Sequence, residues 1–282
     1  MPRSSALCII AAAFLAAPSA SAQPAQTDSL RAAIDASTRT AANRARDQYR
    51  HPYETLAFFG VKPSDTVVEI WPGGGWYTEI LAPYLASGGG KLVLASPEWG
   101  RGGITKLKAA NATLYGPLTV ADFPVFDGKA AEIPAGSADA VLTFRNVHNW
   151  RMGYRRDDKT DYSLAAFQQI FAILKPGGIL GIEDHRLPES ADAERERNSG
   201  YIKTSTVVRL AEQAGFKLAG SSEINANPKD TADWPDGVWT LPPSFALQDK
   251  DRAKYAAIGE SDRMTLKFVK PATAAAQPER GR

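Results

Sequence analysis

The chain has 282 residues, of which 44% are hydrophobic and 23% are charged, and its formal net charge at pH 7 is +2. This composition is typical of a globular protein with enough apolar residues for a core. The small net charge gives no broad positive field of the kind that binds nucleic acid, so we expect no nucleic-acid partner. The single cysteine, Cys8, lies near the start, so the rest of the chain can form no disulfide and no cysteine metal site.

Residues 1–22 have the pattern of a secretory signal peptide. Arg3 is the basic start, residues 6–17 are apolar, and Ala20-Ser21-Ala22 has the small residues of a cleavage site. The apolar stretch is too short to span a bilayer comfortably, so we expect no stable membrane insertion after the leader is removed. The alternative is a cytoplasmic protein with an Ala-rich start. We predict an exported, periplasmic protein.

Helix and strand patterns alternate along the rest of the chain. A helical lead-in covers residues 23–45, and a domain covers 46–271, with an insertion at about 225–262 and a disordered tail at 272–282. Seven short apolar runs predict strands at 66–70, 91–95, 118–121, 140–144, 179–182, 217–224 and 264–269. Helices are predicted at 54–59, 78–86, 104–114, 160–174 and 204–213. This alternation indicates an α/β fold with a mostly parallel sheet and helices on both faces.

A glycine-rich turn follows the first predicted strand. The strand ends in Glu69-Ile70, and Trp71-Pro72-Gly73-Gly74-Gly75 leads into the next helix. Glycines at such a turn let a ligand approach the backbone closely. Open α/β sheets bind ligands at the carboxyl ends of their strands, so this turn is the first candidate for a binding site.

The spacing Glu69-x-Trp71-x-Gly73-x-Gly75 resembles the first motif of the Rossmann-like S-adenosylmethionine-dependent methyltransferases. In that family an acid precedes three alternating glycines, and Trp71 stands here in place of the first. Stretches 134–141, 171–178 and 211–216 resemble later parts of the family pattern in the same order, so the likeness covers about residues 46–270. Segments 71–77, 143–150 and 183–186 are also similar to a group of exported bacterial predicted methyltransferases.

The resemblance implies a seven-stranded sheet in the order 3-2-1-4-5-7-6, with strand 7 antiparallel, and S-adenosyl-L-methionine as the cofactor. In the family the first acid helps hold the amino-acid end, and the glycine turn lies against the cofactor. An acid after strand two accepts the ribose hydroxyls, and an acid after strand three meets the adenine amino group. The corresponding residues here are Glu69, Gly73, Gly75, Glu98 and Asp122, with Asp127 as an alternative to Asp122. Glu69 could instead be a supporting acid that bonds the turn.

Polar residues follow the fourth and fifth predicted strands, at the edge where an acceptor would bind. Methyl transfer requires the nucleophile and the methyl group to be held in line, and a base helps when the acceptor arrives protonated. Asn146, His148 and His185 are the predicted catalytic residues. His148 is the first candidate for the base or for orienting the acceptor, because imidazole titrates near neutrality. The alternative is structural bonding, of His148 to loop backbone and of His185 to Asp184 or Arg186.

The histidines His51, His148 and His185 could also form a metal site with Glu183 or Asp184. No tight spacing of the His-x-x-x-His type supports such a site, and we predict no metal.

We therefore predict a methyltransferase that transfers a methyl group from S-adenosyl-L-methionine to a small-molecule acceptor. The alternative is an exported binding protein that keeps the fold without the transfer. Trp71 in the glycine motif favours that alternative, and so does export away from the cytoplasmic cofactor supply. A dinucleotide oxidoreductase is disfavoured because the G-x-G-x-x-G spacing is missing. Neither the acceptor nor the oligomeric state follows from the sequence.

Overall fold

The structure is a computed structural model that describes residues 22–126 and 128–272, with only the backbone described for residues 22–27. The predicted leader up to residue 21, the predicted tail from residue 273, and Asp127 lie outside the described residues.

A mixed sheet forms the centre of the described chain. Its strands are β1 (Thr66–Ile70), β2 (Lys91–Ala95), β3 (Thr119–Ala121), β4 (Ala138–Phe144), β5 (Leu174–Leu187), β6 (Ile202–Lys203), β7 (Lys217–Ser222) and β8 (Arg263–Val269). The main order is β3-β2-β1-β4-β5-β8-β7, and β6 pairs with the end of β5. Strands β1 to β5 pair in parallel, whereas β8 is antiparallel to both β5 and β7. The predicted order 3-2-1-4-5-7-6, with the last strand antiparallel, is therefore confirmed.

Helices cover both faces of the sheet. They are α1 (Ala22–Ile34), α2 (Ala41–Arg44), α3 (Asp47–Arg50), α4 (Pro52–Phe59), α5 (Thr78–Ala86), α6 (Gly102–Ala110), α7 (Ala112–Tyr115), α8 (Val147–Arg151), α9 (Ser163–Ile173), α10 (Thr204–Gln213) and α11 (Arg252–Ile258). Successive side chains of β1 enter opposite cores, because strand side chains alternate between faces. Val67 belongs to the same core cluster as Leu56 and Ile80 on one face, and Val68 to the cluster of Phe167 and Val207 on the other. Burial on both faces explains why the strand is a continuous apolar run.

Strand β5 is much longer than the predicted strand 179–182. It continues through Glu183, Asp184 and His185, which pair with β8 in antiparallel register. Their polarity hides the strand pattern in the sequence, because the apolar run ends at Ile182. The extension matters because it carries three of the candidate residues to the carboxyl edge of the sheet.

Two predicted helices differ from the structure. The predicted helix 104–114 is divided into α6 and α7 at Asn111, whose side chain accepts a hydrogen bond from the Leu114 backbone N–H and so starts a new helix. The predicted helix 160–174 begins later, at Ser163. Helix α8, strand β6 and helix α11 were not predicted, because elements of five, two and seven residues are too short to show a periodic pattern.

The segment that follows the lead-in and the insertion both reach the carboxyl edge of the sheet. Helix α3 brings Arg50 there, and the insertion between β7 and β8 brings Trp239 and Glu260. No helix among the described residues is long and apolar enough to cross a membrane.

Candidate functional site

The glycine turn adopts a conformation that requires glycine. Gly73 has φ 58° and Gly75 has φ 84°, in the left-handed region that side chains rarely adopt. At Gly75 and Gly103 the close neighbours are other residues of the chain and not a ligand. A Cβ on Gly75 would lie 2.9 Å from Leu107, and one on Gly103 would lie 1.9 Å from the Gly73 carbonyl oxygen, so α6 packs directly against the turn. The space beside Gly73 and Gly74 is open, and this side of the turn is available to a ligand.

A cavity of about 240 Å³ lies on that open side, at the carboxyl ends of β1 and β4. We call it the turn cavity. Its lining residues are Asn43, Arg46, Arg50, Glu69, Trp71, Pro72, Gly73, Gly74, Trp76, Tyr77, Phe144, Arg145 and Asn146. The structure thus brings the predicted residues Glu69, Gly73 and Asn146 together, and Gly75 lies in the same turn. Asn146 also joins β1 to β4, because its amide donates to the Ile70 carbonyl oxygen at 2.9 Å and to the Thr143 hydroxyl oxygen at 3.1 Å.

Glu69 is a buried acid that bonds the start of the following helix. Its side chain accepts a hydrogen bond of 2.6 Å from the Thr78 hydroxyl, and the residue is only 1% exposed. Burial raises the pKa of Glu69 to about 7, against a smaller lowering by the Thr78 hydrogen bond. The carboxyl group is therefore half protonated near neutral pH. In this geometry Glu69 can support the turn through Thr78 and can also bind a cationic ligand in the turn cavity.

We expect Glu69→Gln to stabilise the protein in alkaline but not in acidic solution. The folded-state pKa of about 7 lies above the ordinary 4.5, so wild-type stability falls as the pH rises from 4.5 through 7. The loss amounts to about 3 kcal/mol at full ionisation, and the amide variant avoids it while keeping a hydrogen-bond acceptor for Thr78. Urea unfolding at pH 4.5 and pH 8 measures the difference. Equal stability of the two proteins at pH 8 would contradict the raised pKa.

The Trp71 side chain lies across the ends of the neighbouring strands. Its φ is 47°, and its indole N–H donates to the carbonyl oxygen of Phe123, just beyond β3, at 2.8 Å. The ring makes edge contacts with Trp99 beyond β2 and with Trp150 beyond β4, at centroid distances of 5.2 and 6.1 Å. The indole therefore occupies the crevice between the ends of β2, β3 and β4.

Glu98 and Asp122 lie away from the turn cavity. Glu98 is exposed in a short 3-10 helix after β2. Asp122 pairs with Arg101 at 2.5 Å and lines a separate cavity of about 270 Å³ between Phe123 and Gln169. Both acids follow the strands that the sequence predicted, but the Trp71 indole lies across the ends of those strands. Their contacts to a ribose and an adenine stay predictions.

A second cavity, of about 280 Å³, contains both predicted catalytic histidines. We call it the histidine cavity. Its lining residues are Arg46, Arg50, Arg145, His148, Asn149, His185, Val238, Trp239, Pro242, Pro243, Ser244, Glu260 and Ser261. The rings of His148 and His185 lie 5.0 Å apart. Burial lowers the pKa of His185 well below its ordinary value, and the neighbouring His148 and Arg145 lower it further, so His185 stays neutral.

His148 and Asp184 form an oriented pair. The Nδ1 atom of His148 lies 2.7 Å from a carboxylate oxygen of Asp184, and both residues are buried. Asp184 also accepts hydrogen bonds from the backbone N–H groups of Val147, His148 and His185. The carboxylate thus fixes the start of α8 and the imidazole ring together. With the proton on Nδ1, the Nε2 atom of His148 is left as an acceptor that can take a proton from a ligand.

The pair of His148 and Asp184, together with His185, is the only group of potential metal ligands found in the described part of the chain. His148, Asp184 and His185 place one ligand atom each within 4.8 Å of one another. Two features disfavour a cation there. Asp184 already accepts four hydrogen bonds, and arginines line the same cavity. His51 is not in the group, since its Nδ1 atom lies 3.4 Å from the side-chain oxygen of Asn225.

Arginines separate the two cavities. Arg46, Arg50 and Arg145 line both of them, and we call these three residues the arginine wall. Arg46 and Arg50 pair with Glu260 at 2.6 and 3.1 Å. Arg145 lies in the segment 143–150 of the sequence resemblance, but sequence reasoning missed the other wall residues and Glu260. Their only signal was charge in the segment after the lead-in and in the insertion, which is equally typical of solvated surfaces.

Comparisons with known proteins support the fold. No protein-family model matches the chain, and no curated protein matches it by sequence. An S-adenosylmethionine-dependent methyltransferase from Aquifex aeolicus is 14% identical, with 86% of this chain and 98% of that one covered and a TM-score of 0.51. The CurJ carbon methyltransferase is 12% identical over 87% of this chain and 59% of that one, with a TM-score of 0.50. The cyclase SpnF is 14% identical over 89% and 94%, with a TM-score of 0.51.

These likenesses, at such low identity, establish the fold and not the reaction. The chain has the class I fold of S-adenosylmethionine-dependent methyltransferases, with the sheet order of that class. The cyclase illustrates that one fold carries different chemistry, so function has to be argued from the site.

Proposed function

We propose that the chain is an S-adenosyl-L-methionine-dependent methyltransferase that acts on a small-molecule acceptor. The observation that carries the proposal is the pair of cavities that share the arginine wall. Transfer between two bound molecules requires adjacent sites with the reacting atoms in line. The turn cavity offers the donor side and the histidine cavity the acceptor side, both near the carboxyl ends of the central strands.

The turn cavity suits the amino-acid end of the cofactor. Glu69 is an acid that would lie near the cationic amino group of the bound cofactor, and the backbone at Gly73 and Gly74 is open for close approach. The bound cofactor would supply a methyl group activated by positive sulfur. The adenosyl end fits less directly, because the Trp71 indole fills the crevice toward Glu98 and Asp122. We propose that this indole moves aside when the adenosyl group binds.

In the proposed reaction His148 takes the proton of the acceptor. Asp184 holds the ring through Nδ1, which leaves Nε2 to accept a proton from a hydroxyl or phenol as the methyl group is transferred. Such base catalysis contributes about a hundredfold to ten-thousandfold. His185 stays neutral, and its Nδ1 atom shares a hydrogen bond of 2.5 Å with the hydroxyl group of Ser261.

A second candidate function is a binding protein that keeps the fold without the transfer. One specific observation favours it, the Trp71 indole held in the crevice by a hydrogen bond and two aromatic contacts. The chain would then bind a small molecule in the histidine cavity alone.

Calorimetry of the chain from residue 23 onward, with S-adenosylmethionine and S-adenosylhomocysteine, distinguishes the two candidates. The methyltransferase proposal requires binding of at least one of them, and a folded protein that binds neither excludes it. If the cofactor binds, we expect Glu98→Ala to lower its affinity about tenfold through lost hydrogen bonds to the ribose. Glu212→Ala, on the exposed side of α10, is the matched control and should leave the affinity unchanged. Equal affinity of the Glu98 variant and wild type would remove Glu98 from the site.

We also propose that the protein is exported to the periplasm, on the pattern of residues 1–22. Fractionation of cells that express the full chain tests this. Recovery of an uncleaved chain in the cytoplasm would contradict it.

A further inference from the structure

The arginine wall carries more positive charge than its partners neutralise. Arg46, Arg50 and Arg263 share Glu260, and Arg263 also pairs with Glu183 at 3.2 Å. Arg145 has no ion pair within the described chain. With Arg145, four positive charges therefore face two glutamates, an excess of two. Counting Asp184 in the histidine cavity leaves an excess of one, which only a fully ionised Glu69 in the turn cavity would cancel.

The wall also has donors that nothing in the described chain satisfies. Arg46 Nη2, Arg50 Nη1 and Arg145 Nη1 are buried and lack a hydrogen-bond partner. The other buried guanidinium nitrogens without partners are Nε atoms, so unsatisfied terminal nitrogens concentrate at the wall. An unpaired buried donor is costly, and more so when it is charged. The three residues that carry these donors line both cavities, which indicates a place for an acceptor group that comes from a ligand.

The electrostatics support the same conclusion. Burial lowers the pKa of Arg50 well below its ordinary value, and the nearby Arg145 lowers it further. Burial also lowers the pKa of Arg145, against attraction by Glu183 and Glu260. Both shifts come mainly from burial, which makes a guanidinium charge costly where the nearby carboxylates do not fully offset it. A bound anion would restore the balance, and planar guanidinium groups are the side chains best suited to bind the oxygens of phosphate or carboxylate.

We infer that Arg46, Arg50 and Arg145 form a binding site for the oxyanion group, phosphate or carboxylate, of a small-molecule ligand. In the proposed methyl transfer this ligand would be the acceptor, so that assignment rests on the proposed function. Anion binding itself needs no methyl donor and stands if the transfer fails. The group would lie between the cavities, with the rest of the ligand beside His148.

Thermal unfolding and calorimetry of the wild-type protein without any cofactor test the site. The probes are inorganic phosphate and malonate, each compared with sodium chloride at equal ionic strength, because salt alone screens the arginines. We expect at least one probe to raise the melting temperature and to bind measurably. Phosphate alone would indicate a phosphorylated ligand, malonate alone a carboxylate ligand, and both a general oxyanion site. No effect of either probe beyond that of chloride would overturn the inference.

Substitution of Arg145 tests whether the probe binds at the arginine wall or responds only to the charge of the protein. We expect Arg145→Gln to weaken binding of the active probe about tenfold or more, and Arg145→Lys to weaken it less because the charge is kept. Arg155→Gln is the matched control, since Arg155 also has a positive φ, 64° against 62°, but is exposed and lies outside both cavities. Equal weakening by both glutamine variants would overturn the assignment to the wall. If Arg145→Gln does not fold, the lysine variant and the wild-type measurements still decide.

Discussion

Glu260→Gln is expected to destabilise the protein by about 3–5 kcal/mol at pH 7. Glu260 is 5% exposed and its carboxylate pairs with Arg46, Arg50 and Arg263 at 2.6 to 3.1 Å. Removal of one member of a buried ionic cluster leaves its partners uncompensated, which costs that much in comparable sites. The amide keeps the size of the side chain, so the loss measured by urea unfolding reports charge and not packing.

Two further variants test this electrostatic explanation. Glu223→Gln breaks an ion pair with Arg186, but the Glu223 side chain is 68% exposed, so the change should stay within about 1 kcal/mol. Arg145→Gln removes a cation that has no ion pair, so we expect no loss of stability in the absence of an anion. A Glu260→Gln variant within about 1 kcal/mol of wild type would contradict the charge imbalance at the wall.

The pH dependence of Glu260→Gln has a definite sign. Burial alone would raise the pKa of Glu260, but attraction by Arg50, Arg263, Arg145 and Arg46 outweighs it and lowers the pKa from 4.5 to about 2. The carboxylate therefore contributes its stability above pH 4.5, and the contribution is lost as the pH falls toward 2. The wild-type protein should lose about 3 kcal/mol over this interval. The difference between wild type and variant should shrink in the same interval.

The parts of the fold that the sequence predicts well are those with a strong local pattern of apolar residues. Strands β1 and β2 match the predicted 66–70 and 91–95, and α5 and α10 match 78–86 and 204–213, because apolar runs and helical periods mark them clearly. The end of β5 could not be predicted in the same way. Glu183 and Asp184 are charged but fully buried, and they are strand residues because Glu183 pairs with Phe144 of β4 and both pair with β8. Long-range pairing leaves no local pattern.

In the candidate site, too, residues with a clear local pattern could be predicted and the others could not. Residues at the ends of β1, β4 and β5 could be predicted, because parallel strands end at one edge and polar residues there stand out from the apolar run. This explains the prediction of Glu69, Asn146 and His148. The arginine wall is different, because Arg46 and Arg50 follow the lead-in, Arg145 follows β4, and their partner Glu260 belongs to the insertion. Charged residues in such segments are typical of solvated surfaces, so their burial follows only from the tertiary structure.

Trp71→Gly is expected to raise the affinity for S-adenosylhomocysteine by about a hundredfold. In the wild-type protein the indole must leave two aromatic contacts, with Trp99 and Trp150, and one hydrogen bond to the Phe123 carbonyl before an adenosyl group can enter. Aromatic pairs and a neutral hydrogen bond contribute about 1 kcal/mol each. The displacement therefore costs about 3 kcal/mol, and each 1.4 kcal/mol is tenfold in affinity. Glycine also suits the φ of 47° at this position.

Calorimetry of three proteins makes the Trp71 prediction specific. Trp71→Phe is the matched control, because it keeps a ring at the same backbone position and loses only the indole N–H, so its affinity should stay within about tenfold of wild type. Circular dichroism confirms that each variant is folded. Weaker binding by Trp71→Gly than by wild type would mean that the indole stacks on the adenosyl group and does not obstruct it. If Trp71→Gly binds S-adenosylhomocysteine and wild type does not, one side chain decides whether the cofactor crevice is open. Trp71 would then be the residue that separates this chain from a functional methyltransferase.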